Sequence, residues 1–284
     1  MSKIKKIGII GAGVMGRQIA VEFAVAGFSV LICDKKKQIL KSGLEKINQY
    51  LENFFEKNKI SYQAKQEIVK RIIVVDELKN LSDCDFLFEA VVEDIEEKRN
   101  IFSALDKICI PEAIFATNTS TILVSLLSLA VERKDKFIGM HFMNPVSIIK
   151  LVEIIRGKHT SDKTVAATKE IALALGKTPL EIKDSPGFAV NRILIPMINE
   201  AVFCLQENVA TRDNIDNAMK IGANFPMGPL ALADLIGLDI CLRIMQELQS
   251  GFGNKKYRPC PLLEEMVAKN RLGRKTGEGF YDYK

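Results

Sequence analysis

KKIGIIGAGVMG, residues Lys5–Gly16, is the stretch of this chain that decides its fold. Its apolar part, Ile7–Ile10, has the length and the β-branching of a buried strand in a parallel sheet. Three glycines follow with the G-x-G-x-x-G spacing, in which Gly11 permits a tight turn and Gly13 leaves room for a pyrophosphate. Gly16 lets the next helix pack closely, and the N-terminus of that helix attracts phosphates through its N–H groups and dipole. The residues predicted to bind a dinucleotide are Gly11, Ala12, Gly13, Val14, Met15 and Gly16.

The residues after this turn complete a strand–helix–strand pattern. An apolar-faced helix is predicted over Ile19–Ala26, Gly27 is placed to end it, and Phe28–Cys33 is predicted as a second strand. Asp34 follows directly after that strand. An acid about twenty residues after the glycines is the expected partner of the adenosine ribose of NAD, so Asp34 is predicted to fill this role. The alternative is an ordinary turn with an incidental acid, but the matching context on both sides favours the dinucleotide site.

The composition is that of a folded protein with a moderate positive charge. The chain has 284 residues, 48% of them hydrophobic, which is enough for one large domain or two of ordinary size. The net charge of +5 is small against 40 basic and 35 acidic residues, so it does not indicate binding to nucleic acid. No apolar run reaches the roughly 18 residues of a membrane span, and none has the form of a secretion signal.

Six cysteines are scattered along the chain without a C-x-x-C pair. Most lie in apolar surroundings, which predicts reduced, buried thiols and argues against disulfides and metal ligands. We therefore expect a cytoplasmic protein without a metal site.

The order of the predicted elements indicates two domains. Further strands are predicted at Ile72–Val75, Cys84–Glu89, Ala113–Ala116, Lys136–Phe142, Ile148–Ile155 and Thr178–Ile182, with helices near Gln38–Lys57, from Asp94, and over Asp162–Leu175. The polar, Pro-Gly-containing segment Lys183–Gly187 is the clearest boundary. Only helices are predicted beyond it, at Ala189–Glu207, Arg212–Ile221, Leu230–Gln249 and Leu262–Lys269.

The predicted fold class is therefore a doubly wound, Rossmann-like α/β sheet in residues 1–184, followed by an all-helical domain in residues 185–284. The helical part has apolar faces with few partners of its own. We expect it to pair with a second subunit.

Lysines crowd one region after the second strand. Lys35, Lys36 and Lys37 precede a long amphipathic helix whose polar face is also rich in lysine. Such a run is usually a solvated face, and the alternative is a surface that receives a phosphorylated ligand.

Small polar residues follow the strand Ala113–Ala116. The segment Thr117–Thr121, which reads TNTST, lies at the carboxyl end of a strand, where ligands bind in open α/β sheets. A cluster of this kind also serves as a helix N-cap, and both roles are compatible.

Only two histidines are available for proton transfer. His159 lies in a polar loop, whereas His141 lies at a predicted strand end beside Asn144-Pro145. A lone histidine in an apolar strand is more often a core residue, but the cofactor signal and the absence of another candidate favour a general base. Glu153, an acid in an otherwise apolar strand, is the candidate to orient an imidazolium.

Several further motifs resemble the 3-hydroxyacyl-CoA dehydrogenase family. They cover nearly the whole chain and together are far more specific than the glycine fingerprint. The motifs are Ile10–Gly16, Glu89–Glu93 with Lys98, Asn118–Ser120, His141–Pro145 continuing to Lys150–Glu153, Asp184–Arg192, and Gly273–Tyr281. In length the chain is close to the bacterial, single-function 3-hydroxybutyryl-CoA dehydrogenases of this family.

The resemblance implies a role for each matching residue. His141 is the implied catalytic base with Glu153 as its paired acid, while Ser120 and Asn191 hold the substrate. The residues implied at the NAD site are Glu93, Lys98, Asn118, Asn144 and Lys275, with Asp34 on the adenosine ribose. By position alone, Lys57 matches a lysine near the CoA phosphates. The family also implies an acyl-CoA substrate, NAD as cofactor, and homodimers formed through the helical domain.

The resemblance favours interconversion of an L-3-hydroxyacyl-CoA, such as 3-hydroxybutyryl-CoA, and a 3-oxoacyl-CoA. One alternative is a relative that acts on another hydroxy acid or on a hydroxyacyl group bound to a carrier protein. Another is a catalytically idle NAD-binding protein, which this fold also supports. The presence of His141, Glu153, Ser120 and Asn191 together argues against the idle protein.

Overall fold

The structure is a computed structural model that describes residues 4–58 and 61–283, without the side chains at 37, 39, 41, 42, 44, 53–58 and 62. The chain divides into two compact units, with the division between Asp184 and Ser185. No helix among the described residues has the length and apolarity needed to cross a membrane.

The first unit alternates strands and helices. Its strands are β1 (Lys6–Ile10), β2 (Ser29–Cys33), β3 (Ile72–Val75), β4 (Phe86–Glu89), β5 (Ile114–Thr117), β6 (Phe137–Phe142), β7 (Leu151–Arg156) and β8 (Thr178–Lys183). Its α-helices are α1 (Val14–Val25), α2 (Lys37–Asn58), α3 (Tyr62–Lys70), α4 (Ile95–Ile108), α5 (Val124–Leu127) and α6 (Asp162–Ala174). Helix α3 was not predicted, although Ser61 caps it by accepting a hydrogen bond from the backbone of Ala64.

The strands form one sheet in the order β3-β2-β1-β4-β5-β6-β7-β8. Neighbouring strands from β3 to β6 are parallel, β7 is antiparallel to β6, and β8 is parallel to β7. The strand order reverses between β1 and β4, which opens a crevice at the carboxyl ends of these strands. This is the Rossmann-like arrangement, and it confirms the predicted fold class.

A core of buried aromatic rings fixes the strands that carry the site. Phe23 of α1 lies 6.4 Å from Phe86 and 6.3 Å from Phe88, both of β4, measured between ring centroids. Phe88 in turn lies 5.6 Å from Phe142 at the end of β6. Each fully buried ring contributes about 2–3 kcal/mol by removal of apolar surface from water. The helix after the glycine turn and the end of β6 therefore share one rigid core.

The second unit is mainly helical in its described residues. Its α-helices are α7 (Val190–Gln206), α8 (Arg212–Asn217), α9 (Pro229–Ile236), α10 (Leu238–Phe252) and α11 (Pro261–Ala268). The prediction of one helix over Leu230–Gln249 was wrong, because the chain breaks at Gly237. That residue has a φ of +106°, a conformation that side chains disfavour and that an apolar periodicity does not reveal.

Candidate active site

The glycine-rich turn between β1 and α1 has the shape expected of a phosphate cradle. Gly11 has a φ of +102°, and a Cβ on Gly16 would lie 1.8 Å from the Gly11 carbonyl oxygen, so both positions require glycine. A Cβ on Gly13 would meet nothing within 4 Å, so the space above this residue is open. Helix α1 has no side-chain cap at Gly13 and no acid in its first turn. The N-terminus of α1 is therefore suited to an anion, and the residues present fit the pyrophosphate of NAD.

Asp34 lies beside this turn. Its carboxylate accepts hydrogen bonds of 2.9 Å from the backbone N–H of Ala12 and 2.9 Å from that of Lys36. Lys35 forms an ion pair with Glu97 at 2.7 Å, with its side chain largely exposed. The structure thus joins the end of β2 to the glycine turn and directs Lys35 toward an acid of α4.

The pairing of β6 with β7 brings the two predicted chemical groups together. The antiparallel register sets His141 directly opposite Glu153, so their side chains share one face of the sheet. Nδ1 of His141 lies 2.9 Å from Oε2 of Glu153. His141 is 4% exposed and Glu153 is 1% exposed, so the contact is shielded from water.

The second ring nitrogen of His141 faces Ser120. The Ser120 Oγ atom lies 3.2 Å from Nε2, in the loop that follows β5. With Glu153 ionised, the proton of the neutral imidazole belongs on Nδ1, and Nε2 is left as an acceptor. A hydroxyl group that approaches Nε2 can give up its proton there, while Glu153 stabilises the resulting imidazolium.

Glu93 holds the turn that carries Ser120. Its Oε1 atom accepts hydrogen bonds from the Ser120 N–H at 2.8 Å, the Thr121 N–H at 3.0 Å and the Thr119 hydroxyl at 2.5 Å. Burial alone would raise the pKa of Glu93, but the charge of Lys98 and the hydrogen bonds from the turn lower it to about 2. Glu93 is therefore ionised at neutral pH and fixes the backbone around Ser120.

Lys98 lies in a buried ionic network, in which its side chain is only 1% exposed. Its Nζ atom is 2.6 Å from Glu89 and 3.3 Å from Glu93. Glu89, at the carboxyl end of β4, is fully buried and also accepts a 2.6 Å hydrogen bond from the Thr117 hydroxyl. Burial raises the pKa of Glu89, and the ion pair with Lys98 offsets only part of that effect.

Glu89 was not predicted as a site residue. The signal that identifies it is an acid at the carboxyl end of an apolar strand, which is the same signal that identified Asp34. Glu89 lies at the strand-order reversal, where it gives Lys98 a second carboxylate partner in addition to Glu93.

Two of the three predicted asparagines, Asn118 and Asn144, occupy the neighbouring loops. Asn118 Oδ1 accepts a 2.9 Å hydrogen bond from the Phe142 N–H, so it ties the end of β5 to the end of β6. Asn144, in the loop after β6, is exposed, and its Oδ1 atom accepts a hydrogen bond from Gln18 at 3.3 Å.

The segment Thr117–Thr121 does not cap a helix through its side chains. Helix α5 begins after Leu123, and the carboxylate of Asp184 accepts hydrogen bonds from the N–H groups of Val124 and Ser125 at 3.1 and 2.7 Å. The threonine hydroxyls serve the carboxylates of Glu93 and Glu89 instead.

Three predicted residues lie elsewhere. Asn191 lies in the first turn of α7, in the second unit. Lys275 also belongs to the second unit, where it forms an ion pair with Asp239. The side chain of Lys57, near the end of α2, is outside the described part of the structure. The first unit therefore brings together His141, Glu153, Ser120, Glu93 and Asn118.

Comparisons with known proteins agree with one another. The family model of the 3-hydroxyacyl-CoA dehydrogenase NAD binding domain matches residues 6–185, and the model of the C-terminal domain matches residues 187–283. A 3-hydroxybutyryl-CoA dehydrogenase of Bradyrhizobium diazoefficiens is 50% identical over 281 residues, which cover 99% of this chain and 96% of that protein. A probable 3-hydroxybutyryl-CoA dehydrogenase of Deinococcus radiodurans is also 50% identical, over 98% of this chain and all of that protein. The crystal structure of (S)-3-hydroxybutyryl-CoA dehydrogenase from Ralstonia eutropha has a TM-score of 0.95 at 44% identity and covers 99% of both chains.

Proposed function

Since the chain belongs to the 3-hydroxyacyl-CoA dehydrogenase family, we propose that it interconverts a short-chain L-3-hydroxyacyl-CoA and the corresponding 3-oxoacyl-CoA with NAD(H). The pair 3-hydroxybutyryl-CoA and acetoacetyl-CoA is the substrate and product we expect. One observation carries this proposal: the His141 imidazole is held between Glu153 and Ser120 at the carboxyl edge of an NAD-binding sheet.

His141 is the general base for oxidation of the alcohol. Its Nε2 atom takes the hydroxyl proton as hydride leaves the neighbouring carbon, and in the reverse direction the imidazolium returns that proton to the oxygen. NAD supplies the hydride acceptor when it is bound. The carboxylate of Glu153, 2.9 Å from Nδ1, stabilises the imidazolium and keeps the ring in one orientation.

Ser120 and Asn191 hold the oxygen at the reacting carbon. Ser120 supports this role by its position, because its hydroxyl already lies 3.2 Å from the ring nitrogen that must meet the substrate. A hydrogen bond that strengthens as the alcohol becomes a carbonyl favours the transition state over the ground state. Asn191 is assigned by its motif at the start of α7.

Different segments of the site bind the two ends of the cofactor. The open space above Gly13 and the uncapped N-terminus of α1 support a pyrophosphate site, and Asp34 is placed for the adenosine ribose. Asn144 follows the base by three residues, so we assign it to the nicotinamide end, which must lie beside His141. Asn118 and Glu93 complete this end, and Lys275 is assigned to the cofactor by its motif alone. We assign Lys98 a supporting role through Glu93, because its ammonium is buried between two carboxylates.

The direct test is consumption of NADH with acetoacetyl-CoA, followed by absorbance. We expect saturable turnover with acetoacetyl-CoA and much weaker turnover with acetoacetate, which lacks the CoA part. Turnover that is as good with free acetoacetate, or good only with an acetoacetyl group on a carrier protein, would favour the alternative substrate classes. An idle NAD-binding protein would bind NADH but would not oxidise it with any of these substrates.

We further propose a cytoplasmic homodimer that forms through the helical unit. All six cysteines are free thiols and five of them are buried, which fits a reducing compartment. The second unit exposes several large apolar side chains, among them Ile193, Val209 and Ile221. Such residues favour a subunit interface in that unit.

A further inference from the structure

The loop between β6 and β7 is held by a side chain of α1. Gln18 uses both ends of its amide: Oε1 accepts a 2.9 Å hydrogen bond from the Val146 N–H, and Nε2 donates to Asn144 Oδ1 at 3.3 Å. The Nε2 group is a donor, and the only acceptor of an asparagine side chain is its Oδ1 atom. This contact therefore selects one of the two orientations of the Asn144 amide. The Asn144 Oδ1 atom thus faces Gln18, and its Nδ2 donor takes no part in this contact.

A buried cation holds the same loop from another side. Lys177, which precedes β8, donates through Nζ to the carbonyl oxygen of Val146 and lies 3.5 Å from that of Ile149. The same Nζ atom forms an ion pair with Glu22 of α1 at 3.0 Å. The side chains of Lys177 and Glu22 are only 4% and 11% exposed.

Stability alone is a weak reason for such a pair. Removing two charges from water is costly, and an apolar pair of similar volume often serves the fold equally well. A buried ammonium differs from an apolar side chain in that it binds carbonyl oxygens. With Gln18 on its N–H and Lys177 on its carbonyl, both backbone groups of Val146 are engaged by residues outside the loop.

Both contacts lead to the helix that begins at the glycine-rich turn. Gln18 and Glu22 are four residues apart on α1, so they lie on one face of this helix. The N-terminus of the same helix, at Gly13, faces the open space assigned to the pyrophosphate.

We propose that Gln18 and the Lys177–Glu22 pair are positioning residues, which fix the Asn144 loop at a set distance from the glycine-rich turn. One helix then sets the spacing between the pyrophosphate end and the nicotinamide end of the cofactor site. This inference rests on the proposed function, which assigns Asn144 to the nicotinamide end. None of the three residues needs to touch the cofactor.

Two ligands separate positioning from general stability. NADH engages both ends of the site, whereas ADP-ribose lacks the nicotinamide ring. The variant Gln18→Met keeps the aliphatic length and removes the amide. We expect it to raise the Kd of NADH about fivefold, in line with the loss of modest hydrogen bonds, and to leave the Kd of ADP-ribose within about twofold. Equal weakening of both ligands, or no change in either, would overturn the role of Gln18.

The ion pair is tested by removing both charges, because a single substitution leaves one buried charge unpaired and endangers folding. Lys177→Met with Glu22→Leu should remain folded and should also weaken NADH about fivefold while sparing ADP-ribose. Lys169→Met is the matched control, since it removes a surface pair with Glu181 from the same unit. A double variant with the NADH-to-ADP-ribose affinity ratio of the control would show that the pair is only structural. Both measurements need the cofactor alone, so they decide the positioning role whether or not acetoacetyl-CoA is reduced.

Discussion

At the scale of single residues, the proposed chemistry depends on a charge buried beside His141. Glu153 is 1% exposed, and its Oε2 atom is 2.9 Å from the imidazole, so its charge acts on the ring with little screening by water. Glu153→Gln keeps the shape and removes the charge. We expect kcat to fall about 10–10³-fold with a smaller change in KM, because the imidazolium forms only during the reaction. Steady-state kinetics across pH check this; an unchanged pH–rate profile would make Glu153 a purely structural acid.

We expect Asp34 to set the preference between NADH and NADPH. Its carboxylate is held at the end of β2 by two backbone N–H groups, where it favours a ribose diol and repels a 2′-phosphate. Lys35 does not relieve this repulsion in the structure, since it pairs with Glu97. We expect NADH to be preferred over NADPH by at least about tenfold in kcat/KM, a difference of about 1.4 kcal/mol.

Asp34→Ala should narrow that preference by improving NADPH relative to NADH. Kinetics with both cofactors at equal acetoacetyl-CoA give the ratio directly. A wild-type ratio near one would instead assign the neighbouring lysines to a phosphate site.

At the scale of elements, the turn after β5 is held in place by an ionised carboxylate. The pKa of Glu93 is lowered from its ordinary 4.5 to about 2, so its interactions stabilise the fold fully above pH 4.5 and are lost as the pH falls toward 2. Glu93→Gln should therefore destabilise the protein by about 3 kcal/mol at pH 7 and by roughly half as much at pH 3.

Urea unfolding at the two pH values measures this difference. Glu96→Gln is the matched control, because Glu96 of α4 is largely exposed and pairs with its helix neighbour Arg99. A loss for Glu93→Gln that is equal at pH 7 and pH 3 would contradict the lowered pKa.

The elements also show which features a sequence can predict. The strand of Ile7–Ile10 and the acid at Asp34 follow from local patterns, since burial and turn geometry leave a direct mark on residue type. The antiparallel direction of β7 does not, because an apolar run reports burial and carries no direction. The distance between His141 and Glu153 depends on that direction. Each residue can be picked out from the sequence, but their direct contact follows from the antiparallel register of β6 and β7. The partner of Lys177 likewise comes from a distant segment, since Glu22 lies on α1.

At the scale of the whole molecule, the helical unit carries the proposed subunit interface. Ile193, Val209 and Ile221 are 71%, 68% and 83% exposed, an unfavourable state for large apolar side chains unless a partner covers them. We expect a particle of twice the 31.7 kDa chain mass by light scattering. Replacing all three residues with Asp should yield monomers, because burying unpaired charges opposes association.

The control for this experiment is a pair of exposed apolar residues in the first unit. Leu129 and Leu173 are 55% and 61% exposed, and their replacement by Asp should leave the dimer intact. A wild-type monomer, or dissociation caused by the control alone, would contradict an interface in the helical unit.

The claim that this chain is a dehydrogenase with His141 as its base is tested most directly by one comparison of turnover. Wild type and His141→Gln are assayed for NADH oxidation with saturating acetoacetyl-CoA, and the Kd of NADH is measured for each. We expect saturable turnover in the wild type, a kcat lower by about 10²–10⁴ in the variant, and a Kd of NADH that agrees within about twofold, because a general base acts on the proton and does not hold the cofactor. A variant that keeps more than about half of the wild-type kcat would contradict it.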